Sequence, residues 1–128
     1  MNARLAAIVL GVVLTLVGIL GFFPNPIADA SGNALFNVNI PHTIVHLVSG
    51  LFLLAGAWTA LGSVMALRIL GIVYVVVAVL GFIMPDAILG FISNSPADNW
   101  LHVVVAIVLL GAGFGLTDDE PAAMSSRM

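Results

Sequence analysis

Four long apolar runs interrupt this chain, and they decide what it can become. Residues 5–23, 41–61, 64–84 and 99–116 contain only one arginine and no acidic residue between them. A span of the bilayer core needs about 20 predominantly apolar residues, and a stretch buried in hydrocarbon must satisfy its own backbone hydrogen bonds, which favours the helix. The runs therefore predict four transmembrane helices. Only 7% of the residues are charged, against roughly 25% in ordinary soluble domains, so the chain lacks the polar surface that water would require.

The 128 residues suffice for a single membrane domain, 1–128, with 117–128 as a short acidic cytoplasmic tail. The rival reading of the first run is a secretory signal, with Arg4 as its basic flank and Ala28-Asp29-Ala30 as a cleavage-like site. Its apolar core exceeds the roughly 7–15 residues usual for such signals, so retention as a helix is expected. A net charge of −3 with three basic residues offers no basic patch and argues against a nucleic-acid partner. Cysteine is absent, which excludes disulfides and thiolate chemistry.

Orientation follows from the basic residues. Arg4 precedes the first run, Arg68 follows the short turn at Gly62-Ser63, and Arg127 follows the last run. All three fall on one side. Both termini are expected to be cytoplasmic in the cell membrane, and the two longer connectors outside.

The halves of the chain resemble each other. Leu10, Gly11, Leu20 and Gly21 in the first run recur as Leu70, Gly71, Leu80 and Gly81 in the third. In the second and fourth runs His42 meets Asp98, His46 meets His102, and Leu53-Leu54 meets Leu109-Leu110. Each half enters and leaves on the same side, so the repeat is parallel, with a pseudo-two-fold axis along the membrane normal. The predicted fold is an all-α four-transmembrane-helix bundle built from two parallel-repeat hairpins. Small residues let helices approach closely in lipid. Ser49, Gly50 and Ala57 beside His46, and Ala106 and Gly113 beside His102, mark inward faces. Gly111-x-x-x-Gly115 could seat a neighbouring helix or a second protomer.

All three histidines lie in two matching segments, His42-Thr43-Ile44-Val45-His46 and Asp98-Asn99-Trp100-Leu101-His102. A spacing of i, i+4 places both members on one helix face, about 6 Å apart along the axis. Three imidazoles and a carboxylate suit Zn, Cu, Fe or Mn, which makes His42, His46, Asp98 and His102 candidate metal ligands. A variant uses His46 and His102 as axial ligands of a b-type haem. The alternative is structural: Ser95, Pro96 and Asp98 have the pattern of a helix start, as do Asn39 and Pro41, and the histidines could hydrogen-bond across the bundle.

Other polar residues have plainer readings. Asp29 and Asp86 are expected to be solvated connector residues, and Arg68 a topology anchor. Trp58 and Trp100 fit interfacial belts. Tyr74, mid-span, needs a partner for its hydroxyl, for which a backbone carbonyl is the expectation. No Gly-rich phosphate loop, Gly-x-Ser-x-Gly or His-Glu-x-x-His occurs, so no catalytic motif is present.

The segment Phe36 to Leu47, with Val38-Asn39 before His42 and His46, and the later Asp98-Asn99-Trp100-Leu101-His102 resemble a family of small four-helix bacterial membrane proteins, frequent in actinobacteria and catalogued as a domain of unknown function. The resemblance covers roughly residues 5–116. It implies fold and topology and carries no activity. The leading expectation is a non-enzymatic structural or accessory subunit of a membrane complex, or a homo-oligomer. A metal- or haem-binding redox or sensing protein comes second, and a small transporter or channel third.

Overall fold

The computed structural model describes residues 1–117. The acidic run Asp118-Asp119-Glu120 and the topology marker Arg127 lie outside the described residues, as does all of the expected tail except Thr117. Four helices, α1 (Ala3–Leu20), α2 (Ile40–Trp58), α3 (Ser63–Ile83) and α4 (Pro96–Gly115), are long and apolar enough to cross a membrane.

Three of them start on side-chain caps. Asn2 accepts from the Leu5 amide, Asn39 from the His42 amide, and Ser95 from the Asp98 amide, each satisfying one of the orphan donors of a first turn. Pro41 and Pro96 sit in first turns, where a missing N–H costs nothing. The cap at Ser95 starts α4 three residues before the apolar run suggests. The helix α3 instead follows the tight turn at Gly62, whose φ of 85° lies in the left-handed region open to glycine. At its far end α1 stops at Leu20, because Pro24 cannot continue the ladder.

The bundle is sorted as lipid requires. Ala3, Ala6, Ala7, Gly11, Leu14 and Gly18 form the buried stripe of α1, while Val9, Val13, Leu16 and Ile19 are exposed. Burying apolar side chains from lipid yields little, so close backbone approach must carry helix association. A Cβ placed on Gly50 would come within 2.7 Å of the Gly11 carbonyl oxygen, and one on Gly18 within 2.7 Å of the Leu47 nitrogen. Thus α1 and α2 touch backbone to backbone. Equivalent contacts occur in both hairpins: Gly11 faces Leu54 as Gly71 faces Leu110.

At the end of the bundle holding the α2–α3 turn, Arg4 and Arg68 each close a helix terminus. Arg4 Nε donates to the Ala57 carbonyl at 3.0 Å, and Arg68 Nε to the Gly113 carbonyl at 2.8 Å. Their guanidinium groups lie over the rings of Trp58 and Phe114 at 5.1 and 4.3 Å. The expected anchor Arg68 is therefore also a C-terminal cap.

The two connectors occupy the opposite end. In the first, β1 (Ala28–Asp29) pairs in parallel with β2 (Phe36–Asn37). In the second, β3 (Ala87–Ile88) and β4 (Ile92–Ser93) form an antiparallel hairpin turning at Leu89 and Gly90, both at positive φ. The first connector corrects one expectation. Asp29 is not solvated; it is buried and accepts from the Ser31 hydroxyl at 2.6 Å and from the amides of Ser31 and Asn25. The Ser31 hydroxyl foremost, then those amides, hold its carboxyl below the ordinary value of 3.8. Asn25 completes the loop, its side-chain amide bonding the carbonyls of Leu20, Phe23 and Ala28.

Candidate metal centre

The first two turns of α2 (Ile40–Trp58) and α4 (Pro96–Gly115) face each other beneath these connectors. His42, His46 and His102 project from them into the interior, at 1%, 6% and 3% exposure. Ring centroids are 4.5 Å apart for His42–His46, 5.4 Å for His42–His102 and 6.4 Å for His46–His102. One ring nitrogen from each lies within 4.8 Å of the other two. Three donors around a common point at bonding distances near 2.0–2.1 Å would be separated by somewhat less, roughly 3.5 Å.

The ring of His42 is held in one sense. Its Nδ1 is 2.8 Å from the Ser93 carbonyl oxygen. A carbonyl only accepts, so Nδ1 carries the proton and Nε2 of the neutral ring is left with a free lone pair. That Nε2, together with Nδ1 of His46 and Nδ1 of His102, is buried without a hydrogen-bond partner. Buried nitrogens left unsatisfied each cost about 1–3 kcal/mol. A histidine whose second nitrogen is fixed on a carbonyl is also the usual arrangement of a metal ligand.

The three rings border a cavity of about 30 Å³, shared with Tyr74, Val45, Val77, Ile88 and Ile92. Its remaining walls are thus aliphatic apart from the tyrosine. The Tyr74 hydroxyl donates to Ser49 Oγ at 3.1 Å, a side-chain partner where a backbone carbonyl was expected, and its ring is 5.9 Å from that of His102.

Residues 4–115 match the family described as Domain of unknown function (DUF4383). The chain belongs to this family. No curated protein and no solved structure matches it.

Of the four candidate ligands in this DUF4383 protein, three converge and one stands apart. Asp98, 1% exposed, accepts from Ser95 Oγ at 2.8 Å. It is not among the converging ligand atoms. Asn99 is likewise buried, accepting from Asn94 Nδ2 at 2.7 Å, and that amide also donates to the Gly81 carbonyl. Sequence reasoning missed Ser93 and Asn94. Ser93 acts on His42 through its backbone carbonyl, which no residue type advertises. Asn94 had a signal, being an amide just before a helix cap.

Proposed function

We propose that this DUF4383 protein is a multi-pass protein of the cell membrane that binds one transition-metal ion through His42, His46 and His102. Both termini are cytoplasmic and the centre lies at the outer end of the bundle, on the distribution of Arg4 and Arg68. The two hairpins are read as halves of a parallel repeat, supported by the paired contacts of Arg4 with Ala57 and Arg68 with Gly113. One observation carries the metal reading: three buried ring nitrogens within 4.8 Å of each other, each ring bearing a nitrogen that has no hydrogen-bond partner. A histidine network serving only as bundle glue would pair those nitrogens. A cavity of about 30 Å³ suits an ion and leaves no slot for a porphyrin between His46 and His102.

Elemental analysis of protein purified without a histidine tag tests this reading. One equivalent of metal, lost in His46→Ala and in His102→Ala, is the expected result. Metal-free protein whose melting temperature does not move on adding Zn, Cu, Fe or Mn would overturn it.

A second reading concerns partners. Gly111 and Gly115 have open space where a Cβ would stand, which favours a helix of a second copy or of a larger membrane complex packing there. Weakened self-association of Gly111→Leu in detergent would support a homo-oligomer, and a wild-type monomer that co-purifies with no other chain would count against both forms.

A further inference from the structure

We infer that the histidine site is built for a monovalent soft ion, Cu(I), held by three imidazoles, and not for a divalent ion. The inference rests on the metal-binding reading above and narrows it by charge and by coordination number.

Charge comes first. The cost of burying an ion rises steeply with its charge and is offset only by compensating groups. The three imidazoles that converge are neutral as ligands. Among the described residues, Asp98 is the only acidic residue in the four helices. It lies one turn before His102 on α4, buried, with the Ser95 hydroxyl donating to it and the positive end of the helix dipole beneath it. Both features favour the ionised carboxylate and work against the cost of its burial. One carboxylate balances one positive charge. A divalent ion would leave a net positive charge enclosed among aliphatic side chains.

Coordination number points the same way. Zn(II) wants a fourth ligand, which beside three histidines only a water squeezed into a cavity of about 30 Å³ could supply, and Fe(II) and Mn(II) want more. The other walls of the cavity are Val45, Val77, Ile88 and Ile92, which carry no donor, and the Tyr74 hydroxyl is engaged with Ser49. Asp98 is not among the converging ligand atoms. The protein therefore presents three nitrogens and nothing further. A d¹⁰ monovalent ion is satisfied by three-coordination, and imidazole is an accepted donor for copper.

The test is an anaerobic competition titration of the whole protein in detergent, with Cu(I) against a chromophoric Cu(I) chelator and Zn(II) and Co(II) against chelators of their own. One equivalent of Cu(I) should bind on the order of 100-fold more tightly than Zn(II), and Asp98→Asn should weaken Cu(I) roughly tenfold or more through loss of the balancing charge. Zn(II) or Co(II) binding as tightly as Cu(I) would overturn the inference and leave the metal-binding reading standing. Unchanged Cu(I) affinity in a folded Asp98→Asn protein would overturn the charge argument. Failure to bind any of the three ions would remove the Cu(I) inference, and failure with Fe and Mn added as well would remove the metal-binding reading.

Discussion

His42 Nδ1 lies 2.8 Å from the carbonyl oxygen of Ser93, so the first histidine of α2 is aimed by the strand that leads into α4. The strand leading into α2 is tied in as well, through the Asn37 carbonyl. Between them, Ser93 Oγ accepts from the Asn39 amide and donates to the Asn37 carbonyl, while the Asn39 side chain donates to the Phe91 carbonyl. The two hairpins are therefore clasped across each other above the histidines. Loosening one connector should loosen the site.

Ser93→Ala tests that coupling. It removes both hydroxyl bonds but keeps the carbonyl that orients His42. Loss of an outer-shell partner typically lowers metal affinity 10–100-fold; here about tenfold is expected, because the carbonyl remains but is less firmly held. A competition titration against a chelator measures it. An unchanged affinity would mean that the clasp does not position His42.

Two glycine substitutions should separate backbone contact from open surface. In Gly50→Ala the new methyl meets the Thr15 amide nitrogen and the Gly11 carbonyl oxygen, neither of which can rotate away, so α1 and α2 must part. Overpacking of this kind costs about 1–3 kcal/mol, and the melting temperature in detergent should fall. In Gly111→Ala nothing of the same chain lies within 4 Å, and the gain in helix propensity, up to about 1 kcal/mol, should leave the stability of the monomer unchanged or slightly raised. Equal losses in the two variants would contradict the packing described.

The first connector should respond to acid through Asp29. Its carboxyl is held below the ordinary 3.8 by Ser31 and Asn25, so folding favours the ionised form. That contribution is fully present above about pH 4 and disappears as the pH falls through the lowered folded value. Hydrogen-exchange protection of residues 25–31, each rate taken relative to the intrinsic rate at that pH, should therefore fall at the acid end in the wild type. Asp29→Asn should exchange faster at neutral pH and lose this acid step. A wild-type connector equally protected at pH 7 and at pH 2 would refute the assignment.

Much of the architecture was legible in one dimension. The four apolar runs announced the helices, because in hydrocarbon each backbone group must be satisfied within its own segment, and that requirement is local. Asn39 with Pro41 and Ser95 with Pro96 marked two helix starts for the same reason: capping acts over three or four residues. The stripe of Ser49, Gly50 and Ala57 beside His46 named the face of α2 that is buried. Asp29 was read as solvated because nothing near it in the sequence shows that its loop folds back over it; its three hydrogen bonds are made within that loop and depend on its turn geometry.

What the sequence determined by itself is therefore the membrane class, the helices, their inner faces and the pairing of histidines at one turn's spacing. Tertiary structure alone decided that His102 joins His42 and His46 while Asp98, their neighbour in the pattern, stays bound to Ser95. Helical spacing sets which residues share a face. Which face meets which depends on the rotation of one helix against another, and the bond from His42 to the Ser93 carbonyl, which ties α2 to the strand before α4, is one that no residue type in the sequence marks.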